Sequence, residues 1–233
     1  MYKTIGILGG MGPAATCDLM QKIIARTVAA NDREHIPQLV DCNTAIPDRT
    51  AALLHGGEDP VPQMLKSARR LQAMGADFLI MPCNTAHCFL PRLKPEINIP
   101  FVEMPKETVA YAAARGVKTA GLLATTGTVR SGLYAEAFAA AGIKTVVPSE
   151  KNQALVMDMI YNCVKAGKPC RPEAAEKILA ELRALGAEKF ILACTELPLA
   201  FAELGLLNND CIDPSAVLAR AAVLAAGAPL KEI

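Results

Sequence analysis

Two stretches of this chain echo one another at a nearly constant distance, and that duplication limits its fold more than any other feature. Leu71, Ala73, Gly75, Ala76, Ile80 and Cys83 are matched, 111 residues later, by Leu182, Ala184, Gly186, Ala187, Ile191 and Cys194. A second echo pairs Lys3, Thr4, Gly6 and Leu8 with Lys118, Thr119, Gly121 and Leu123, at an offset of 115. Both echoes keep their order, so the chain reads as two domains of similar build. The expected crossover falls near residues 98–103, giving a first domain over 1–101 with 210–233 and a second over 102–209. The C-terminal helix after residue 214 is expected to pack back on the first domain.

Within each half, short apolar runs alternate with helix-period segments. Strands are predicted at 4–8, 37–41, 77–81, 101–103, 119–124, 144–147, 189–193 and 211–213. Helices are predicted at 13–30, 61–74, 106–115, 131–141, 152–166, 172–185 and 214–226. Several of these helices open on Pro and close on Gly, as helix ends do. Alternating strands and helices with apolar strands specify an α/β class, each domain a parallel sheet covered on both faces. In such sheets ligands gather at the carboxyl ends of the strands.

Composition excludes several functions. A 233-residue chain that is 52% hydrophobic can bury a sizeable core. With 24 basic against 23 acidic side chains it lacks the basic footprint of a nucleic-acid binder. No run of eighteen apolar residues is present to span a membrane, and the N-terminus lacks a secretory pattern, so a cytoplasmic location is expected. Eight cysteines occur without any C-x2-C pair, which argues against structural zinc and leaves free thiols.

Two of those thiols stand out. Cys83 and Cys194 close the repeated helix–Gly–strand unit, each at a predicted strand tip and each followed by small polar residues, Asn84-Thr85 and Thr195-Glu196. These neighbours are candidates for substrate contact or for capping the next helix. A helix N-terminus favours thiolate, so a lowered pKa is expected at both positions. Two opposed groups of similar acidity suit removal of a proton from one face of a carbon and delivery of another to the opposite face. A cysteine hydrolase would need one thiol with a histidine and an orienting group. His87, one turn from Cys83, could serve, but that reading leaves Cys194 unexplained, and a satisfied helix histidine is its simpler role.

Gly9-Gly10-Met11-Gly12-Pro13, Asp48-Arg49, the run from Pro82 to His87 and the run from Cys194 to Pro198 together resemble the aspartate/glutamate racemase family, most closely its aspartate racemases. The glutamate racemases of cell-wall synthesis are more distant: they carry a His where this chain has Glu196. The resemblance implies two flavodoxin-like domains related by a pseudo-twofold axis, with a two-thiol mechanism in the cleft between them. It also implies no cofactor and often a homodimer. The substrate so implied is a small dicarboxylic amino acid, aspartate or glutamate, interconverted with its D-form.

The remaining candidates follow from that substrate. Backbone N–H groups of Gly10, Met11 and Gly12 open a helix and can approach an anion. Thr125, Thr126 and Thr128 form a hydroxyl-rich loop at the matching place in the second half, suited to a carboxylate or equally to helix capping. Arg49 can fork onto a carboxylate, and the resemblance places it near the site with Asp48 as its support. Lys165 matches a basic family position, although its residues alone read as a helix C-terminal lysine. Glu196 can tune Cys194 as Asp48 could tune a thiol or orient Arg49. No metal is called for. A same-fold maleate isomerase or arylmalonate decarboxylase, and a binding module without catalysis, are the alternative functions.

Overall fold

The computed structural model describes residues 2–232. The chain divides into two compact units, one running up to residue 107 and resuming at 215, the other covering 108–214. In chain order the first unit contains β1 (Ile5–Gly9), α1 (Pro13–Arg26), β2 (Gln38–Cys42), α2 (Arg49–Leu54), α3 (Val61–Ala73), β3 (Phe78–Ile80) and α4 (Leu90–Leu93). α5 (Met104–Ala114) then carries the chain into the second unit. There follow β4 (Thr119–Ala124), α6 (Thr126–Arg130), α7 (Leu133–Ala140), β5 (Lys144–Val146), α8 (Glu150–Asp158), α9 (Pro172–Ala184), β6 (Lys189–Ala193), α10 (Glu196–Glu203) and β7 (Cys211–Ile212). α11 (Pro214–Ala226) returns to the first unit.

Among the described residues the first unit holds a three-stranded sheet of order β2-β1-β3, and the second a four-stranded sheet of order β5-β4-β6-β7. All named pairings are parallel, with Ile5 opposite both Gln38 and Phe78, and Ala120 opposite Lys189. This is the expected α/β class. Successive strand side chains point to opposite faces, and the first sheet shows it cleanly. Ile5, Ile7, Phe78 and Ile80 pack with Leu19 and Ile23 of α1 and with Leu218, Ala219, Ala222 and Val223 of α11. Leu8, Leu79 and Met81 pack on the other face with Met64, Ala68 and Leu71 of α3. The expected return of the C-terminal helix to the first unit is therefore realised, and the Lys3 N–H donates to the Ala226 carbonyl at 3.0 Å. In the second unit Leu123, Phe190 and Leu192 meet Val156 of α8 and Ile178, Leu179 and Leu182 of α9.

The two sequence echoes turn out to be the two sides of one contact. A Cβ on Gly6 would lie 2.8 Å from the Ala76 Cβ, and one on Gly121 would lie 3.0 Å from the Ala187 Cβ. In both units α3 or α9 ends in the same turn: Ala76 N–H donates to the Leu71 carbonyl at 3.1 Å, and Ala187 N–H to the Leu182 carbonyl at 3.0 Å, the helix-ending bond of a Schellman motif. The next residue donates its N–H to the start of the neighbouring strand, Asp77 to Thr4 O and Glu188 to Thr119 O, each at 2.9 Å. Helix end, glycine and strand start are thus one device used twice.

The structure departs from the sequence reading at its edges. The strand expected at 101–103 is a single parallel bridge from Phe101 to Leu79, because Pro100 has no N–H to continue a ladder and α5 starts at Met104. The first helix stops at Arg26 instead of residue 30, and Thr27 bridges antiparallel to Leu230. The helix expected over 152–166 is α8 followed by a π-helical turn, Met159–Val164. The helix expected from 131 begins at Leu133, after Gly132 at φ +74°. The domain boundary expected at 210 falls early, since β7 pairs with β6 and holds residues 211 and 212 in the second sheet. At the other end, residues 102–107 group with the first unit, Met104 and Val102 lying in its core.

One glycine carries two constraints. Gly10, just past β1, has φ +89°, and a Cβ there would stand 2.4 Å from the backbone carbonyl carbon of Asn43. Gly75, with φ +94°, has open space around it. Gly10→Ala is expected to cost about 3 kcal/mol from strain and overlap together, and Gly75→Ala about 1 kcal/mol from strain alone. Chemical denaturation of the two variants checks the difference.

Candidate active site

Cys83 lies three residues past the end of β3, packed in the apolar cluster with Met11, Ile46, Met81 and Ala86, and is only 6% exposed. The chain then turns through a 3-10 segment, Thr85–Phe89, where Asn84, Thr85 and His87 are all buried. His87 holds this turn in place. Its Nδ1 stands 2.8 Å from the Cys83 carbonyl oxygen, and its Nε2 accepts from the Met104 N–H at the start of α5, at 3.2 Å. An accepting Nε2 leaves the proton on Nδ1, which donates to the Cys83 carbonyl. Burial pushes the His87 pKa down to about 4. Both ring nitrogens are committed to backbone, so His87 is a neutral strut and not the base of a cysteine hydrolase.

The glycine loop after β1 is tied down from two sides. Gly10 N–H donates to Thr16 Oγ1 at 2.9 Å, and that hydroxyl donates to the Gly12 carbonyl at 3.0 Å. Gly12 is the N-cap of α1, with Pro13 at the first helical position. Met11 is buried and its carbonyl accepts from Arg49 Nη2 at 2.9 Å. Arg49 Nη1 also donates to the Ile46 and Pro47 carbonyls, at 3.2 and 2.9 Å. Arg49 is therefore buried, at 7% exposure. Three of its donors are spent on backbone, where the sequence reading had a fork facing a carboxylate. Asp48 caps α2, accepting from the Ala51 N–H at 2.8 Å. The first unit thus gathers Gly10, Met11, Gly12, Asp48, Arg49, Cys83, Asn84, Thr85 and His87 around the carboxyl ends of β1 and β3.

Cys194 follows β6 directly and is 7% exposed. Its thiol donates to Glu196 Oε2 at 3.0 Å, and Thr195 Oγ1 donates to the same oxygen at 3.2 Å. Lys165 Nζ lies 3.9 Å from Glu196 Oε1 and 4.7 Å from the centre of the Tyr161 ring. Lys165 closes the π-helical turn, its N–H reaching back five residues to the Ile160 carbonyl at 3.0 Å. Such turns re-aim side chains and recur at functional sites. The thiol pKa expected to be lowered is raised well above the ordinary value. Burial is the main cause, with the Glu196 carboxylate next, and Lys165 opposes both. The position at the start of α10 does not outweigh burial and the carboxylate.

The threonine loop divides its roles. Thr125 caps α6, accepting from the Thr128 N–H at 3.2 Å, and its hydroxyl lies 3.1 Å from that of Thr128. Capping thus employs the Thr125 hydroxyl. Thr126 is half-buried; its N–H donates to Met157 Sδ at 3.2 Å, and its hydroxyl lies 3.4 Å from Gln153 Nε2. It borders an open cavity of about 680 Å³ within the second unit, also lined by Arg130, Gln153, Met157, Tyr161 and Asn162. Sequence alone does not mark Gln153, which only folding brings to Thr126, 27 residues away, nor Thr16 and Tyr161, which lie four residues from Gly12 and Lys165 but belong to no recognisable motif. Among the described residues no group of three or more His, Cys, Asp or Glu could hold a metal ion.

A duplicated parallel α/β chain with buried thiols at its strand ends defines the class. The Asp/Glu/Hydantoin racemase family model matches residues 8–222, and the chain belongs to that family. It is 27% identical over 227 residues to the broad specificity amino-acid racemase RacX of Bacillus subtilis, covering 94% of this chain and 96% of that one. The aspartate racemase of Picrophilus torridus is similar in structure, with a TM-score of 0.85, 32% identity, and coverage of 98% and 96% of the two chains. A glutamate racemase of Desulforudis audaxviator is 29% identical over 177 residues, 72% of this chain and 64% of its own. No helix among the described residues is long and apolar enough to cross a membrane.

The depressed His87 pKa makes stability fall with acid. An unfolded histidine binds a proton near pH 6.5 while the folded one waits until about 4. Stability is therefore complete above 6.5 and declines towards 4, by up to about 3 kcal/mol. Melting temperatures over that range check it, and His87→Leu is expected to flatten that part of the profile. Glu196→Gln removes a charge that raises the Cys194 thiol, so its ionisation is expected to move to lower pH, read by thiolate absorbance or alkylation rate.

Proposed function

We propose that this protein is an amino-acid racemase that interconverts L- and D-aspartate, and glutamate as well, by proton transfer between Cys83 and Cys194 without a cofactor. The observation that carries the reading is the matched placement of two buried thiols at the ends of β3 and β6, in a chain of a racemase family. The similarity to an aspartate racemase and to a broad specificity amino-acid racemase supports the reaction class. The aspartate racemase is the basis for preferring aspartate.

In this reading each sulfur serves one face of the substrate Cα. The Cys83 thiolate takes the Cα proton from one face, and the Cys194 thiol gives its proton to the other. Bond changes balance: one C–H breaks and one forms, and the thiol and thiolate exchange places. The raised pKa of Cys194 favours the thiol form that this direction of transfer requires. Glu196 receives the S–H and holds it in a defined direction. After proton delivery, Lys165 offsets the negative charge that the Cys194 sulfur shares with Glu196. The Cα carbanion needs preorganised donors in a water-poor site. Backbone N–H groups beside Asn84, Thr85 and Thr195, and the loop of Met11 and Gly12, are the donors assigned to it and to the carboxylates. Arg49 acts mainly by fixing that loop, with Thr126 as the second unit's polar contact.

Turnover of either aspartate enantiomer in D2O is expected to place deuterium at Cα with no cofactor added. Cys83→Ser and Cys194→Ser are each expected to lower kcat by about 10²–10⁴-fold. Wild-type rates in either variant, or racemisation without solvent exchange, overturn the two-thiol reading.

A further inference from the structure

A polar residue interrupts the buried face of α3. Val61, Met64, Ser67, Ala68 and Leu71 form that face, and Ser67 is fully buried. A hydroxyl placed there needs a polar partner. Asn43 supplies it from 24 residues away, its Nδ2 donating to Ser67 Oγ at 3.0 Å. Asn43 Oδ1 accepts from the Ala45 N–H at 3.1 Å. Only the oxygen of a side-chain amide can accept, so this bond fixes which way round the amide sits. The Asn43 carbonyl accepts from the Ile46 N–H at 3.4 Å. Asn43 follows β2, whose last residue, Cys42, is opposite Gly9, and the Asn43 backbone lies against Gly10. These contacts close a circuit. From Asn43 it runs to Ile46, whose carbonyl accepts from Arg49, then through Arg49 to the Met11 carbonyl, and by Gly10 back to Asn43. Ser67 ties the circuit to α3, and Met11 and Ile46 lie in the apolar cluster that holds Cys83.

We infer that Asn43 is a positioning residue, a role that rests on the racemase reading. It locks the 43–49 loop to the glycine turn as one cover on Cys83, and so sets the Met11–Gly12 backbone for a substrate carboxylate. Asn43 acts through Arg49 and Gly10 and not on the reacting atoms. Cys83 has a tether of its own, its carbonyl meeting His87 Nδ1 at 2.8 Å. Loss of the Asn43 side chain therefore loosens the cover and the donors it carries while the segment bearing the thiol stays in place. Local opening of this kind exposes one segment without unfolding the rest. No non-glycine residue among those described has a positive φ, so alanine fits the Asn43 backbone and removes only its side-chain bonds.

The test uses the full chain and two readouts. Folded protein is alkylated with iodoacetamide and digested with trypsin, and fragment spectra separate Cys83 from Cys88 in the peptide 71–92. Asn43→Ala is expected to raise the Cys83 rate about 10-fold through the loss of two neutral hydrogen bonds, and Ser67→Ala, which removes one, about threefold. Cys163 and Cys170 are buried in the second unit and report any general loosening; their rates are expected to stay at the wild-type value. In the same Asn43→Ala protein KM for aspartate is expected to rise about 10-fold with kcat held within about threefold. A wild-type Cys83 rate in Asn43→Ala, equal acceleration at Cys163 and Cys170, or an unchanged KM overturns the inference. A wild-type protein that turns over no aspartate overturns the racemase reading instead, and the alkylation rates still decide whether Asn43 holds the cover.

Discussion

The contact between a strand glycine and a helix-ending alanine, Gly6 on Ala76 and Gly121 on Ala187, is the constraint on which the rest of each unit depends. It brings the backbone of β1 or β4 against the turn that launches β3 or β6. The Asp77 and Glu188 backbone N–H groups then set the strand register, and their carboxylates accept from the Thr4 and Lys118 N–H groups at 2.6 and 2.7 Å. Each cysteine is carried to the carboxyl end of its sheet by that register. A side chain at either glycine would separate strand from turn, and the thiol would move with the strand.

Burial acts with opposite results at the two thiol sites. Around Cys83 it falls on His87, removes its charge, and leaves a neutral ring that spans two backbone groups. Around Cys194 it falls on the thiol itself, reinforced by a carboxylate two residues on, and keeps the proton on sulfur. Desolvation penalises whichever form is charged, so the sequence neighbours of two repeated cysteines give them different chemistry. The positive end of a short helix is a small effect beside a carboxylate 3.0 Å away. Arg49 behaves likewise: a buried guanidinium whose Nη1 and Nη2 donate to the Met11, Ile46 and Pro47 carbonyls becomes part of the loop.

Much of the architecture was readable in the chain. β4 and β6 fall on the expected residues, β1, β2 and β5 within one of them, and α11 returns to the first sheet as expected. The errors share a cause. The strand at 101–103 and the long helix at 152–166 were judged from local apolar pattern. Their limits are set instead by Pro100, by the close start of α5, and by a π-helical turn that no local propensity announces. The short helices α2 and α6 read as loops, since each is under two turns and is held by what it packs on. At the site, Cys83, Cys194 and Glu196 could be named from the repeat, but Gln153 could not, being 27 residues from the Thr126 hydroxyl it faces, and Thr16 and Tyr161, though within one helical turn of Gly12 and Lys165, carry no motif that marks them.

By itself the sequence determined the class of fold, the duplication and the family, because apolar periodicity, glycine turns and matched cysteines act over a few residues at a time. Only the tertiary structure decided protonation and employment: that His87 is a neutral strut, that Arg49 serves its own loop, and that Cys194 keeps its proton. Those outcomes depend on burial and on charges brought together by folding. Local sequence carries neither quantity.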